Sequence, residues 1–257
     1  MKPTRLSIDD YTGTIRSATT PPQGMTSTVV ILHAERGDFV LKQADRTPYM
    51  AWLRREASVL QALATSNLPI PHYIALEDQP NMVSLLMTAL PGEPLSTLLG
   101  RGVSDSMRHD LLRQFGTLLA LIHVATPAPT LYSQRLWLQR TLDEARANQL
   151  HGYAEPEAPP IDAVIATCPP ATPEVLIHGD YTIDNVLVND GKLTGVIDWG
   201  RGDIGDPRYD LTLATRPQEP ESAFLDQDDF AAFYAGYGGK RLSESEYHWF
   251  HTLYDYF

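Results

Sequence analysis

Cysteine and basic residues are scarce in this chain. Cys168 is the single cysteine among 257 residues, and 20 Lys and Arg stand against 32 Asp and Glu, a formal net charge of −12. One cysteine excludes an intrachain disulfide and a cysteine-based zinc site. The charge balance, with no run of Lys or Arg longer than two, is the reverse of what a nucleic-acid-binding protein presents. It is compatible with a cationic ligand drawn to a negative cleft, and also with plain solubility. Long apolar runs are missing too. Val29-Val30-Ile31-Leu32 is representative, far below the ~20 residues of a membrane helix. Met1 to Asp10 lacks the apolar centre of a secretory signal, so a reducing cytoplasm is the expected setting. Neither an internal repeat nor a long low-complexity tract is found.

The rest of the composition is that of a globular protein, 43% hydrophobic and 20% charged. Its length suits one or two domains and a core that needs no staples. Met25 to His33 and Asp38 to Lys42 read as strands joined by a turn at Glu35-Arg36-Gly37. Pro48 to Ala64 reads as a helix, with Leu53, Ala57 and Leu60 at helical spacing and Trp52, Val59 and Leu63 widening the stripe. Tyr73 to Glu77 and Met82 to Thr88 are two further strands, and Pro91-Gly92-Glu93-Pro94 is a strong breaker. Beyond it the pattern turns helical. Ser104 to Val124 carries Met107, Leu111, Phe115, Leu118 and Ile122 on one face, capped by Ser104 or Asp105. A second helix is expected over Leu131 to Leu150, with Leu136, Trp137, Leu142 and Ala145 inward. Short strands follow at Val175 to His178, Val186 to Val188 and Leu193 to Asp198; the last two are joined through Asn189-Asp190-Gly191, a hairpin signal. Helices return at Pro207 to Arg216, Asp228 to Tyr237 and Ser243 to Phe257. The plan is α+β and bilobal: a strand-rich lobe over residues 1–90 and a mainly helical lobe over residues 91–257. The cleft between them is the expected ligand site.

The chemistry concentrates in His178-Gly179-Asp180-Tyr181-Thr182-Ile183-Asp184-Asn185, followed by a hairpin and then Ile197-Asp198-Trp199-Gly200. Phosphoryl transfer needs a carboxylate facing the attacking hydroxyl and oxygen ligands for Mg²⁺ on the nucleotide phosphates. Asp180 supplies the first, and Asn185 and Asp198 the second; Mg²⁺ takes few protein oxygens and keeps phosphates and waters for the rest. His178 is read as orienting the loop. Lys42 closes an apolar strand segment with an ammonium suited to phosphate. Glu56 lies on a helix edge that can face that strand and fix the ammonium.

These residues resemble the aminoglycoside phosphotransferases, in the kanamycin-kinase (3′-phosphotransferase) branch of the protein-kinase-like small-molecule kinases. Gly24-Met25-Thr26-Ser27 resembles the nucleotide-positioning loop, although no Gly-x-Gly-x-x-Gly is present. Val40-Leu41-Lys42 resembles the phosphate-lysine strand, and Leu85-Leu86-Met87-Thr88 the strand entering the hinge. Gly200-Arg201, Asp210 to Arg216 and the ending Leu253-Tyr254-Asp255-Tyr256-Phe257 resemble the 3′ branch. The resemblance implies ATP and Mg²⁺ as cofactors, Asp180 as the catalytic base, and Asn185 and Asp198 as metal ligands. It implies nucleotide contacts from Lys42, Glu56, Thr26 and Ser27, with Thr88 and Leu90 as main-chain readers of adenine. It also implies acceptor contacts from Asp255, the Phe257 carboxylate, Glu155 and Glu157, with Arg201 and Arg216 serving the loop network or phosphate charge. One expected acid is replaced by Tyr254.

The chain has no Ala-Pro-Glu, and Asp206 follows Asp198 too closely for an activation loop. The acceptor is therefore expected to be a small molecule, and the resemblance implies a cationic one; no nucleic-acid or membrane partner is expected, and a monomer or weak dimer is the expected working form. The leading expectation is phosphorylation of an aminoglycoside 3′-hydroxyl. The alternatives are another acceptor, such as a macrolide, a choline-like amine, a sugar or a homoserine-like metabolite, and a non-catalytic nucleotide-binding protein. Tyr247, Trp249, Phe250, Tyr254 and Tyr256 could cage a choline-type cation, but their spacing suits helix packing better.

Overall fold

Alternation along the N-terminal strands sorts their side chains between two faces and so places the first functional group. The computed structural model describes residues 8–21, 26–216 and 225–257. Helix α1 (Ile8–Thr12) and strand β1 (Ile15–Thr19) lead into β2 (Thr28–Ala34), β3 (Gly37–Ala44), α2 (Tyr49–Ala62), β4 (Tyr73–Gln79) and β5 (Met82–Thr88). The strands form one antiparallel sheet in the order β1-β2-β3-β5-β4. On β3, Phe39 and Leu41 join an outer apolar cluster with Leu32, Ala34 and Leu86. Val40, Lys42 and Ala44 fall on the opposite face, where Ala44 enters the main core and Val40 packs against it. Period two thus delivers Lys42 to the side that α2 covers. Helix α2 buries Leu53, Glu56, Ala57 and Leu60, the i, i+3, i+4, i+7 stripe of a core-facing helix. A carboxylate inside such a stripe is unusual unless paired, and β3 supplies the partner.

The remaining chain is mainly helical. It comprises β6 (Glu93–Pro94), α3 (Leu95–Gly100), α4 (Asp105–Val124), α5 (Trp137–His151), α6 (Ile161–Ala166), β7 (Val175–Ile177), β8 (Val186–Asn189), β9 (Lys192–Val196), β10 (Asp203–Gly205), α7 (Pro207–Thr215), α8 (Gln227–Tyr237) and α9 (Glu244–Tyr254). Two small sheets, β6-β8-β9 and β7-β10, carry the segments that reach the cleft. Side-chain caps start four of the helices. Ser104 accepts from Met107 N–H at α4, Asp206 caps α7 with Pro207 at its first turn, and Asp226 and Ser243 form capping boxes at α8 and α9. Helices α4 and α8 cross at glycine. A Cβ on Gly116 would sit 2.0 Å from the Phe233 carbonyl oxygen, and one on Gly236 would sit 1.9 Å from that of Arg113.

The main core runs from α2 and β5 through α4 and α8 to Tyr181, Val196 and Trp199. A second cluster joins α5, α6, α7 and α9 around Trp137, Tyr209, Trp249, Phe250 and Tyr256. Three of the five candidate cage aromatics are therefore packing residues. Among the described residues no helix is long and apolar enough to cross a membrane.

The α+β plan holds, and several boundaries shift. The helix expected from Leu131 begins at Trp137; Leu131 ends a single 3-10 turn, Pro129–Leu131. Leu136, expected inward, is 54% exposed on extended backbone ahead of α5. Met107, in the first turn of α4, is also exposed, because the helix meets the core only from Leu111 onward. The strand expected from Met25 begins at Thr28, and Gly24 and Met25 lie outside the described residues. In the breaker, Glu93 and Pro94 pair with Val188 and Leu187. The elements α1, β1, β6, α3, α6 and β10 are two to six residues long, too short for periodicity to mark.

Candidate active site

Two turns bring the catalytic-loop residues together. The β8–β9 hairpin turns through Asp190 (φ 49°) and Gly191 (φ 72°), two left-handed residues as a tight type I′ connection requires. The hairpin returns the chain to its own start, where Ile197 N–H donates to the Asn185 carbonyl at 2.9 Å. Asp198 follows immediately, at φ 66° and ψ 60°. A non-glycine residue held there is strained, a feature that clusters at functional sites.

The loop after β7 is held by a buried carboxylate. Asp210 Oδ2 accepts the His178 N–H and Oδ1 accepts the Gly179 N–H, both at 2.7 Å. His123 Nε2 lies 3.3 Å from Asp210 Oδ2, and its Nδ1 is 2.9 Å from the Tyr237 hydroxyl. Gly179 has φ 80°, and a Cβ there would stand 2.4 Å from the Arg201 carbonyl oxygen, so no other residue fits. His178 donates from Nε2 to the Ile197 carbonyl at 2.9 Å and accepts the Asp180 N–H on Nδ1 at 3.2 Å. Its imidazole is thereby committed to loop geometry. Asn185 Nδ2 donates to the Asp180 carbonyl and to Asp180 Oδ2, each at 2.9 Å. Asp180 Oδ1 is buried and has no hydrogen-bond partner. Burial raises the Asp180 carboxyl above its ordinary value, assisted by Asp198 and opposed by His178, Arg216 and Asn185. A carboxylate with one oxygen anchored and the other unpaired is prepared to accept a proton.

Lys42 Nζ lies 2.8 and 2.9 Å from the two Glu56 carboxylate oxygens and 3.2 Å from Asp198 Oδ1. Burial alone would lower the lysine pKa, but Asp198 and Glu56 reverse the effect and hold the ammonium above its ordinary range. Burial pushes Glu56 up against the pull of Lys42. The Lys42 charge holds Asp198 below the usual carboxylate range.

A cavity of about 290 Å³ opens over these groups; Thr26, Ser27, Lys42, Glu56, Asp180 and Asp198 are in its wall. A second cavity, about 320 Å³, shares Trp52, Gly179, Gly200, Arg201 and Phe257 with it and extends between α2 and α5. Thr88 and Leu90 are not in either wall. The Thr88 N–H donates to His72 O and the Ala89 N–H to Asp38 O, at 3.0 and 2.9 Å, so these hinge amides already serve the protein. Arg201 lines both cavities. The Arg216 guanidinium stacks 4.2 Å over the Tyr254 ring. Glu155 and Asp255 come together, the Glu155 N–H donating to the Asp255 carbonyl at 2.7 Å. Asp255, Glu155 and Glu157 line neither cavity.

Sequence reasoning assigned no part in the site to Asp210, His123, Glu144 or Trp52. Asp210 lies in a quoted motif and is wholly buried, but a buried acid is not marked by local spacing. Trp52 was expected in the core stripe and instead overhangs the cleft, a distinction that helical periodicity cannot make.

A five-stranded sheet over a helical part, with a lysine–glutamate pair, a loop aspartate that has one carboxylate oxygen free and a strained second aspartate between them, defines a phosphotransferase with a kinase-like bilobal fold. Residues 17–248 match the model of the phosphotransferase enzyme family, and the chain belongs to that family. An aminoglycoside 3′-phosphotransferase of Niallia circulans is 26% identical over 216 residues, 80% of each chain. A homoserine kinase of Pseudomonas aeruginosa is 27% identical over 205 residues, 74% of this chain and 61% of that relative. The solved structure of an aminoglycoside-3′-phosphotransferase of type VIII superposes with a TM-score of 0.76 at 22% identity, covering 94% of this chain and 93% of that one.

Proposed function

We propose that the protein transfers the γ-phosphoryl group of ATP to a hydroxyl of a small acceptor, the 3′-hydroxyl of an aminoglycoside. The unpaired Asp180 Oδ1 carries this reading. It accepts the proton of the acceptor hydroxyl as that oxygen bonds to the γ-phosphorus, the bond to the β–γ bridging oxygen breaks, and ADP leaves. Lys42, fixed by Glu56, neutralises the phosphates, and Thr26 and Ser27 cover them. Asp198 and Asn185 would hold Mg²⁺. Two oxygen-bearing side chains, with both ring nitrogens of the nearby His178 already committed to the loop, fit a hard ion that keeps phosphate and water ligands, and the ion would supply charge neutralisation. Asn185 Nδ2 is engaged with Asp180, which presents the opposite, oxygen end of the amide as the donor. Residues 1–90 would hold the nucleotide and residues 91–257 the catalytic loop and acceptor, in the cytoplasm where Mg-ATP is supplied.

ADP release with Mg-ATP, measured with kanamycin, neomycin, a 3′-deoxy aminoglycoside and no acceptor, tests the reading. Release with the first two alone is expected. A protein that binds Mg-ATP and releases ADP with none of them refutes the acceptor assignment. The second reading, a homoserine-like acceptor, is favoured by two observations: Arg216 stacks on Tyr254 where an acid was expected, and one family relative is named as a homoserine kinase. Release with homoserine and none with kanamycin would establish it.

A further inference from the structure

The two cavities that meet beside Asp180 share one charged side chain, that of Arg201. The Arg201 guanidinium carbon is 4.7 Å from the Trp52 ring centroid and 4.5 Å from that of Phe257, and Nη1 is 3.2 Å from Glu144 Oε1. Two aromatic faces and a carboxylate around one positive charge form the arrangement that recognises organic cations. None of the three is specific to an arginine side chain. Any ammonium or guanidinium placed there meets the same groups. They come from α2, from α5 and from residue 257, so the site exists only where these parts converge on the cleft.

The ion pair of Arg201 with Glu144 is a weak one. The Arg201 side chain is 25% exposed and that of Glu144 is 48% exposed, and ion pairs of that kind contribute little in water and weaken with salt. The side chain also lines the nucleotide cavity together with Lys42 and Asp198. A displaced guanidinium therefore has a carboxylate or a phosphate to move toward.

We propose that Trp52, Phe257 and Glu144 form a cation subsite for the acceptor, which Arg201 fills in the empty enzyme as a tethered competitor. The ligand class is an ammonium or guanidinium group on a hydroxylated molecule. A neutral or anionic acceptor gains nothing by displacing the arginine. The assignment to an acceptor rests on the reading that the acceptor enters beside Asp180. If Arg201 fills the subsite for about nine-tenths of the time, the apparent affinity for a cation falls about tenfold, which corresponds to about 1.4 kcal/mol.

The test uses the full-length protein and methylguanidinium as probe. Binding is followed by tryptophan fluorescence, with Trp52→Phe as the reference for signal arising at that ring. Arg201→Met keeps the apolar stem and removes the charge, and is expected to bind the probe about tenfold more tightly than the wild type. Arg201→Lys, which keeps the competitor, should stay close to wild type. Adding Glu144→Gln to Arg201→Met should erase most of the gain. Unchanged or weaker binding by Arg201→Met overturns the proposal, as does a gain that survives Glu144→Gln. Arg201→Ala serves as a second charge-removing variant should Arg201→Met fold poorly. ADP release measured on the same proteins with kanamycin separates the two readings. Tighter kanamycin binding by Arg201→Met, together with no ADP release from the wild-type protein when kanamycin is present, upholds the cation subsite and removes the aminoglycoside as phosphoryl acceptor.

Discussion

Asp210→Asn is the perturbation that most directly tests how the catalytic loop is held. The wild-type carboxylate accepts two backbone N–H groups at 2.7 Å, from His178 and Gly179, and is wholly buried. An asparagine keeps one accepting oxygen and turns an NH₂ toward the other amide. One buried N–H then loses its partner, at a cost of about 1–3 kcal/mol. The surviving bond loses its charge assistance, which about halves its strength and removes roughly a further 1 kcal/mol. The expected loss is about 2–4 kcal/mol, read as a lower urea midpoint at an unchanged slope. Gly179 immediately precedes Asp180, so kcat should fall while the KM for ATP, governed from Lys42, stays near wild type. His123 sits against the same carboxylate, so His123→Ala and Asp210→Asn should couple in a double-mutant cycle rather than add. A variant within about 0.5 kcal/mol of wild type and with unchanged kcat would refute the argument that Asp210 fixes this loop, since burial of an unsatisfied amide leaves no room for so small an effect.

Asp180→Asn should lower kcat by about 10²–10⁴-fold, the range of a general base. The same variant should raise Tm at neutral pH. The native carboxyl, raised by burial, binds its proton more tightly than the unfolded chain does. Its ionised form therefore costs stability as pH climbs from the ordinary value of about 3.9 through the raised one. A Tm below wild type counts against that burial cost, and kcat/KM should fall on the acid side at a pH above the usual aspartate range. Lys42→Met leaves Glu56 buried and unpaired and should cost about 3–5 kcal/mol by chemical denaturation. Lys42→Met with Glu56→Met should recover much of that stability but not nucleotide affinity; failure of both to separate argues against the pair's phosphate role. Gly116→Ala should destabilise by about 1–3 kcal/mol through overpacking, against the ~1 kcal/mol by which alanine is intrinsically favoured in a helix. A rise in Tm for Gly116→Ala would show that α4 and α8 part freely.

The parts of the site that sequence alone made legible are those in which spacing and geometry are the same thing. The turn Asp190-Gly191 both announces a hairpin and returns Asn185 and Asp198 to one end of it, because two left-handed residues close the strands at a fixed register. Lys42 and Glu56 follow from the same logic. Period two on β3 and the 3.6-residue repeat on α2 each send one charged residue to the face the two elements share, and neither can be buried without the other. Contacts that depend on tertiary approach left no such mark. Arg201 and Phe257 were legible as cleft residues, but that the guanidinium lies between Phe257 and Trp52 and meets Glu144 requires α2, α5 and the chain end to be in place together. The acids expected from the ending were placed by chain order, whereas in the fold the helical turn of α9 presents Tyr254 to the cleft and leaves the Asp255 carbonyl to Glu155. On the proposed reading, tyrosine in place of an acid at position 254 thus alters which group faces the acceptor while leaving the phosphoryl-transfer groups untouched. On the same reading, acceptor choice and catalytic chemistry are therefore separable in this chain: the first would rest on Trp52, Glu144, Arg201, Tyr254 and Phe257, and the second on Lys42, Glu56, Asp180, Asn185 and Asp198.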